Sequence, residues 1–313
     1  MTNNTVPEKP FEVMAIADLC MDIIVASSSP PEFGQVELLA DAYQLDLGGS
    51  VGIFATQYAK LGGRIALIGT TGDDAAGTIV HTKLSEAGVD IRYIKRSPGE
   101  KTAMGLNIAV GHDRAMLAYL GTMELIGPDM LRDEWIGLSR HWHIGSYFLL
   151  RRLIPAWSGW LKELKSGGIT VSLDTNWDPS GNWAHVTELL PHVDIFLPNL
   201  AEALAITGET TLQTAGAKLA GICKLVVVKC GEDGAAVFSE GRHSLYPVTP
   251  ELTRHLKIAD TTGAGDNFDA GFIYCWLQGE DIAACIDEAS RCAVSSLQSL
   301  GGIIGQIVKN KHT

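Results

Sequence analysis

Positive charge is scarce in this 313-residue sequence. It carries 24 Lys and Arg residues against 36 Asp and Glu residues, which gives a formal net charge of −12. A nucleic-acid partner would demand basic patches, because contacts to the phosphate backbone supply most of the affinity. We therefore expect no nucleic-acid partner, although a few local donors could still hold a small phosphorylated ligand.

Three other absences limit the cellular location that we expect for the protein and the chemistry that its cysteines could carry. No apolar run approaches the length that spans a membrane, and residues 1–10 are polar and lack the apolar core of a signal peptide. The six cysteines include no CxxC pair, which favours buried thiols over disulfides or zinc ligands. These features predict a cytoplasmic protein with no membrane partner.

Two common nucleotide-binding motifs are also missing. The phosphate loop G-x-x-x-x-G-K-[ST] does not occur, and residues 263–268 lack the last glycine of the dinucleotide fingerprint G-x-G-x-x-G. These absences argue against a phosphate-loop kinase and against a dinucleotide-dependent oxidoreductase.

Residues 260–268 combine a small-residue turn, a carboxylate and the start of a mostly apolar helix. Gly263, Ala264 and Gly265 would let a ligand reach the backbone. The first amides of a helix lack internal partners and carry partial positive charge, so this end suits a phosphate. Asp266 would repel a phosphate, but it could take a proton from an attacking hydroxyl as a general base. The stretch suggests phosphoryl transfer to an alcohol; the alternative is a tight turn with Asp266 as an N-cap.

Two upstream segments offer further candidate positions. Asp18 and Asp22 follow a short apolar strand, and a carboxylate at the end of a strand in an α/β sheet is well placed for a ligand. The alternative is that both lie in a solvated loop. Gly48 and Gly49 precede a helical pattern over residues 54–61, and paired glycines let the backbone approach a ligand closely.

The chain length suits one large α/β domain with an appended lid, or two medium domains. Residues 102–110 and 115–120 alternate like strands around a hairpin signal at residues 111–114, with no flanking helices. This pattern predicts a small antiparallel sheet that stands away from the main domain. From Ile169 onward, the repeated order of strand, loop and helix favours a parallel sheet with crossover helices.

Three short patterns in the second half carry polar residues. Asn199 and Glu202 are spaced as an N-cap and its capping-box partner. Lys229 ends a β-branched strand and could reach a nucleotide phosphate, or the glycines after it could simply turn a hairpin. His141 and His143 share one face of a strand and could bind a metal, but we interpret them as solvated or core histidines.

Together these motifs resemble the ribokinase-like (pfkB) family of sugar kinases. Residues 260–268 match its signature D-T-x-G-A-G-D followed by a small or polar residue and Phe. Residues 48–55 match G-G-x-x-x-N-x-A except at Ile53, where the family has Asn. Residues 199–202 match N-x-x-E, and residues 229–234 match K-x-G-x-x-G.

The resemblance implies the fold. We expect an α/β three-layer αβα sandwich with a mostly parallel central sheet and a small antiparallel β lid. One kinase domain would cover residues 1–313, with the lid drawn from roughly residues 23–47 and 91–121. The exposed faces and uncapped edges of the lid strands would allow a homodimer through the lid.

The resemblance also implies roles for individual residues. Amides at Gly263, Ala264 and Gly265 would form an anion hole for the transferring phosphate, with Asp266 as the base. The other implied assignments are sugar contacts at Asp22, Gly48, Gly49, Ile53 and Asn176, nucleotide contacts at Lys229, Gly231, Gly234 and Asn199, magnesium largely through water at Glu202 and Asn199, and potassium at Asp260 and Thr262. Two family contacts are missing, because Ile53 replaces an Asn and the Arg expected after Asn176 is replaced by Trp177 or Asp178.

The predicted function is ATP-dependent phosphorylation of a primary hydroxyl on a sugar or sugar-like substrate, as in ribokinases and fructokinases. The implied cofactors are ATP and magnesium, and the partner is a small sugar. Two alternatives stay open. One is a nucleoside kinase of the same family, since Ile53 and Trp177 favour stacking a base. The other is a sugar-binding homologue without activity, since the Asn and the Arg are missing.

Overall fold

Nine strands form one large sheet in the part of the chain that the computed structural model describes, residues 9–110, 113–178 and 181–309. From one edge to the other they are Arg242–Tyr246 (β13), Ala235–Ser239 (β12), Leu225–Lys229 (β11), Ile195–Phe196 (β10), Thr170–Leu173 (β9), Ser139–Ile144 (β8), Phe11–Ile16 (β1), Ile65–Gly72 (β4) and Asp90–Ser97 (β5). Every pairing from β11 to β5 is parallel, and β12 and β13 add two antiparallel pairings at one edge. The prediction of a mostly parallel central sheet is confirmed.

Helices cover both faces of this sheet, and β1 shows why. Val13 and Ala15 point into one apolar cluster, Met14 and Ile16 point into another, and all four are buried. A strand that is apolar on both faces needs a covering layer on each side. One layer holds Ser50–Lys60 (α1), Ala75–Glu86 (α2), Ala264–Leu277 (α8) and Ile282–Ser296 (α9), and the other holds Ile154–Ser166 (α3), Ala184–Leu189 (α4), Leu200–Thr207 (α5) and Leu212–Ala220 (α6). The short helix Pro250–Thr253 (α7) packs on α9, and the three-layer sandwich is confirmed.

A second sheet of four strands, here called the lid sheet, stands beside α1 and α2. Its strands, in spatial order, are Ala42–Gly48 (β3), Cys20–Ser27 (β2), Ala103–Val110 (β6) and Asp113–Tyr119 (β7). The two outer pairings are antiparallel, whereas the central pairing of β2 with β6 is parallel. Residues 91–97, which we expected in the lid, lie in β5 of the large sheet, so the second lid segment begins at Ala103.

Some sequence expectations fall outside the described residues. These include the polar start of the chain up to residue 8 and the predicted hairpin tip at residues 111–112. Among the described helices, none is long and apolar enough to cross a bilayer. All six cysteines are free thiols, and five of them are buried.

Two local predictions have clear outcomes. Helix α1 begins at Ser50, four residues before the predicted start, because the carboxylate of Asp18 accepts hydrogen bonds from the amides of Ser50 and Val51 at 3.0 Å each. His141 and His143 were interpreted as solvated or core histidines, and the structure shows that they are core residues. Both rings are buried and hydrogen-bond the hydroxyl of Ser172, at 2.8 and 2.9 Å.

Candidate active site

The first turn of α8 presents free backbone amides. Its N-cap is Gly263, whose φ of 73° lies in the left-handed region and whose position carries no side-chain cap. Within the described residues, the amides of Gly265 and Asp266 have no protein acceptor, and that of Ala264 makes only a long bond of 3.4 Å to the carbonyl of Thr261. The predicted anion hole therefore has the free donors that a phosphate requires.

Close packing behind this turn accounts for both Gly263 and Ile53. A Cβ at Gly263 would lie 3.0 Å from the Cα of Gly302 and 3.0 Å from two carbons of Ile53. Ile53 is 3% exposed and belongs to the apolar cluster beneath α8. We expected Ile53 among the substrate contacts, but its side chain instead supports the back of the turn.

Asp266, the predicted base, lies in the same first turn and is half-buried. The side chain of Ser50, at the start of α1, lies near its carboxylate. Burial, and after it the negative charge of Asp174, raise the pKa of Asp266 well above its ordinary value. A carboxylate with a raised pKa holds a proton more readily near neutral pH, which is the property that a general base needs.

Asp22 lies on the lid sheet, and two glycines make room for it. A Cβ at either Gly48 on β3 or Gly105 on β6 would collide with the Asp22 carboxylate. Similarly, a Cβ at Gly49 would collide with the carbonyl of Asp18. We expected the glycine pair to let a ligand approach the backbone, but it serves first to place two aspartates at one end of the cleft between the lid sheet and α8.

Four carboxylates gather at that end, which we call the acceptor end. Asp46 lies directly opposite Asp22 on the neighbouring strand, and both are buried. Burial raises the pKa of Asp22, and the nearby negative charges of Asp18, Asp46 and Asp260 raise it further. The charges on these groups therefore feel one another, and hydrogen bonds from substrate hydroxyls would relieve that repulsion.

Asn176 connects three elements beside Asp266. It has a φ of 58°, its Oδ1 accepts a hydrogen bond from the amide of Ser146 at 2.9 Å, and its Nδ2 donates to the hydroxyl of Ser50 at 2.7 Å. Ser146, with a φ of 51°, donates its own hydroxyl to Asp18. The structure thus connects Asn176 through Ser50 and Ser146 to Asp18, and sequence reasoning missed both serines.

A cavity of about 380 Å³ with mostly apolar walls lies on the other side of α8. We call it the nucleotide end of the cleft. The cavity contacts the anion-hole residues Ala264 and Gly265, and it brings together three of the predicted nucleotide residues, Lys229, Gly231 and Gly234. Its remaining lining residues are Glu232, Val248, Thr253, Leu256, Ile258, Thr261, Phe268, Ser290, Ala293, Val294 and Leu297.

Lys229 is paired with buried carboxylates rather than free. Its Nζ lies 2.9 Å from Asp174 and 3.1 Å from both oxygens of Asp269. Burial opposes the charged form, but Asp174, Asp269 and Glu202 outweigh it and raise the pKa of Lys229. A Cβ at Gly265 would lie 3.4 Å from this Nζ, so the ammonium stays beside the anion hole while it is held by the two aspartates.

Asn199 and Glu202 form a complete capping box at the start of α5. The amide of Asn199 donates to Glu202 Oε2 at 2.8 Å, and the amide of Glu202 donates to Asn199 Oδ1 at 2.9 Å. Burial, and then the charge of Asp174, raise the pKa of Glu202 to about 7. A carboxylate in this situation gains from a nearby cation, and magnesium prefers one or two carboxylates with water as its other ligands. The residues therefore fit a water-mediated magnesium site.

Asp260 and Thr262, the predicted potassium residues, bind each other. Asp260 Oδ1 accepts from the amide of Thr262 at 2.9 Å and from its hydroxyl at 2.8 Å, and Oδ2 accepts from the amide of Gly301 at 3.0 Å. These bonds tie the turn before α8 to the loop after α9. The two side chains do not by themselves form a cation site.

Comparison with known proteins finds relatives of nearly the whole chain. The sequence profile of the pfkB family carbohydrate kinases matches residues 11–309. A ribokinase of Arabidopsis thaliana is 28% identical over 295 residues, which cover 90% of this chain and 75% of the relative. Among solved structures, an adenosine kinase from Sinorhizobium meliloti has a TM-score of 0.82 at 25% identity, over 94% of this chain and 96% of that one. A putative ribokinase II from E. coli, solved with ATP and Mg²⁺, has a TM-score of 0.82 at 23% identity, over 95% and 96% of the two chains.

Proposed function

The chain belongs to the pfkB family of carbohydrate kinases, and we propose that it transfers the γ-phosphoryl group of ATP to a primary hydroxyl of a sugar or sugar-like acceptor. One observation carries this proposal. The carboxylate of Asp266 and the unpaired amides of Gly265 and Asp266 stand together at the start of α8, between the acceptor end and the nucleotide end.

In the proposed reaction the acceptor lies against the lid sheet. Asp22 accepts hydrogen bonds from its hydroxyl groups, and Asn176 borders the same space. Asp266 takes the proton from the attacking hydroxyl oxygen, which then bonds to the γ-phosphorus as the bond to the ADP oxygen breaks. The amides of the anion hole meet the negative charge on the transferred group, and one such donor is worth roughly 3 to 4 kcal/mol of barrier.

The nucleotide would bind with its base in the apolar cavity and its phosphates toward Gly265. Gly231 and Gly234 have left-handed φ values of 61° and 89°, and the turn between β11 and β12 that they shape forms one wall of the cavity. Lys229 lies beside the anion hole and offers a positive charge to the phosphates. ATP is supported by the E. coli relative that was solved with ATP and Mg²⁺.

Magnesium, when bound, would neutralise charge on the β- and γ-phosphate oxygens. We assign Glu202 and Asn199 to hold it through water, since the capping box fixes both side chains in place. No step is assigned to potassium, because both carboxylate oxygens of Asp260 already accept protein hydrogen bonds.

A nucleoside acceptor is the second candidate. The adenosine kinase from Sinorhizobium meliloti is as similar in fold as the sugar kinases are, and Trp177 leaves 57% of its surface exposed for a base to stack on. The packing of Ile53 removes one earlier reason for this alternative, because its side chain is buried behind the anion hole.

A panel of acceptors tests both candidates. Purified protein is incubated with ATP and magnesium and with aldopentoses, ketohexoses, polyols or nucleosides, and ADP release is followed for each. Release with a sugar or polyol supports the proposal, and release only with nucleosides selects the second candidate. If no acceptor gives ADP while calorimetry still detects sugar binding, the chain is a non-catalytic sugar-binding homologue and the proposed activity is wrong.

A homodimer through the outer face of the lid sheet is also proposed. The register puts Leu45, Ile23, Leu106 and Leu117 side by side on the face opposite Asp22; Ile23 packs partly against the apolar cluster that includes α1 and α2, whereas Leu117 is 69% exposed. An apolar row of this kind favours association with a second copy. Sedimentation velocity is expected to give a dimer for the native chain and a monomer for Leu117→Asp; a monomeric native chain would contradict it.

A further inference from the structure

The ammonium of Lys229 has one hydrogen-bond donor more than its protein partners use. An ammonium carries three N–H groups. Asp174 Oδ2, at 2.9 Å, accepts one of them. Because the two oxygens of one carboxylate lie side by side, a single shared N–H accounts for both contacts to Asp269, at 3.1 Å each. Among the described residues Nζ has no further acceptor, so its third N–H is left for a ligand.

The ammonium, and not its carboxylate partners, faces the nucleotide end of the cleft. Lys229 lines the cavity there, whereas neither Asp174 nor Asp269 does. Both aspartates are buried, and Asp269 is 0% exposed. A Cβ at Gly265 would lie 3.4 Å from Nζ, so the unused N–H group stands beside the first turn of α8 and its unpaired amides.

Asp269 ties this ammonium to the helix that carries the anion hole. It lies three residues after Asp266 in α8, so its carboxylate and the amides of the first turn belong to one rigid element. Asp174 directly follows β9 and holds the ammonium from the side of the sheet. A lysine side chain is flexible, and two carboxylates on two different elements remove that freedom.

Fold stability alone does not explain a cluster of this composition. A buried ion pair is often no more stabilising than apolar residues of the same volume, and here two carboxyl groups are buried for one ammonium. A single aspartate would balance the charge of Lys229. Buried ionisable groups of this kind concentrate at functional sites, and the second carboxylate is explained if the exact place of the ammonium matters.

We propose that Asp269, together with Asp174, is a positioning residue that holds the third N–H of Lys229 toward the phosphoryl group in transfer. This inference rests on the proposed function, in which the γ-phosphate meets the amides of Gly265 and Asp266. The ammonium then donates to an oxygen of that group as its negative charge develops, and it does not follow the departing nucleotide. Loss of either carboxylate should therefore lower kcat through Lys229 and leave KM for ATP unchanged.

The test is a double-mutant cycle on kcat. Lys229→Gln removes the charge but keeps an amide donor for the buried carboxylates, and kcat is expected to fall about 100-fold, the scale of losing one donor to a transition-state anion. Asp269→Asn keeps the size of the side chain and is expected to lower kcat about tenfold, because the ammonium is no longer held in one place. The double variant should match Lys229→Gln, with a loss of about 100-fold rather than about 1000-fold.

Lys165 and Asp194 form a matched pair for comparison. Lys165 Nζ lies 2.6 Å from both oxygens of Asp194, which is also buried. Asp194 directly precedes β10, whereas Lys229 ends the parallel neighbour β11, so the two pairs lie at opposite ends of the sheet. Asp194→Asn should lower the melting temperature, followed by circular dichroism, and leave kcat unchanged; Asp269→Asn should lower both.

The outcomes separate this inference from the proposed function. Losses that multiply in the double variant, or a native kcat in Asp269→Asn, overturn the positioning role, while an inactive Asp266→Asn leaves the proposed function standing. A raised KM for ATP at native kcat also counts against the role, since Lys229 would then only bind the nucleotide. Full turnover in Asp266→Asn overturns both.

A second variant keeps the test decisive if Asp269→Asn does not fold. Asp174→Asn then takes its place in the cycle, since it removes the other carboxylate and retains an acceptor for the amide of Asn176. The same outcomes are expected, and the same ones overturn the positioning role.

Discussion

At the acceptor end of the cleft, Asp18, Asp46 and Asp260 are close enough to Asp22 to raise its pKa, and directional hydrogen bonds fix the side chains around them. At the nucleotide end, a 380 Å³ cavity is walled mainly by apolar side chains from α8, α9 and the segments beside them, with Lys229 and Glu232 as its charged lining residues. The two ends meet at the first turn of α8, where Asp266 and the free amides lie.

The difference indicates how each ligand would be recognised. An apolar cavity discriminates by shape and buried area, so small changes in side-chain volume matter there. A set of buried carboxylates discriminates by hydrogen bonds, and a missing partner leaves a buried group unpaired, which costs more than a lost methylene. Substitutions at one end should therefore change the KM of one ligand and leave the KM of the other unchanged. Substitutions in the first turn of α8, the junction of the two ends, should lower kcat without changing ligand binding.

The junction itself should give the largest effect. Asp266→Asn removes the proton acceptor but keeps the size of the side chain, and a general base is worth about 100- to 10,000-fold in rate. We expect kcat to fall by at least about 100-fold with nearly native affinity for a non-hydrolysable ATP analogue. Steady-state ADP release and calorimetry measure the two quantities.

Asp129→Asn is the matched control, because Asp129 is exposed and lies in the segment between the lid sheet and β8. It should leave both quantities unchanged. Near-native turnover in Asp266→Asn would show that another group accepts the proton of the acceptor hydroxyl, and the assignment of Asp266 as the general base would be wrong.

A pair of variants should separate the two ends. Asp22→Asn weakens the bonds to substrate hydroxyls and is expected to raise the acceptor KM roughly tenfold while KM for ATP stays the same. Ala293→Phe fills part of the apolar cavity from α9 and is expected to raise KM for ATP roughly tenfold while the acceptor KM stays the same. Initial rates over a grid of both substrate concentrations give the four values.

Each variant has a neighbour of similar chemistry as its control. Asp41→Asn changes an exposed carboxylate just before β3, and Ala283→Phe adds a ring to an exposed position of α9. Neither should alter a KM. If Asp22→Asn and Ala293→Phe raised both KM values together, the two ends would be coupled through the protein, and their independence would have to be abandoned.

Local sequence patterns predicted the parallel central sheet and the first turn of α8, and the family resemblance added the three layers. The apolar run of β1, the small residues before an apolar helix and the spacing from Asn199 to Glu202 each involve only neighbouring residues. The family resemblance then assigned Asp266 and Asp22 to one site, and in the structure the charge of Asp18 acts on both carboxylates.

What could not be predicted depends on partners far apart in the chain. The amide of Ser50 meets Asp18 across 32 residues, and its hydroxyl meets Asn176 across 126. Lys229 was predicted to reach a nucleotide phosphate, but its pairing with Asp174 and Asp269, which are 55 and 40 residues away, was not predicted. Periodicity carries no signal for such contacts, and only the sheet order brings them together.

The smallest expected effect concerns magnesium and follows from Glu202. Burial and Asp174 raise the pKa of Glu202 to about 7, so the side chain is mostly neutral below that pH and mostly ionised above it. A proton and the magnesium shell compete for the same carboxylate, so apparent magnesium affinity should weaken about tenfold from about pH 8 to about pH 6. Glu202→Gln should bind magnesium more weakly at the higher pH and lose this dependence, whereas Glu251→Gln, at an exposed position, should keep it. Magnesium titrations of ADP release at fixed ATP, repeated at several pH values, measure how magnesium affinity changes with pH. An unchanged pH dependence in Glu202→Gln would show that Glu202 is not part of the metal site.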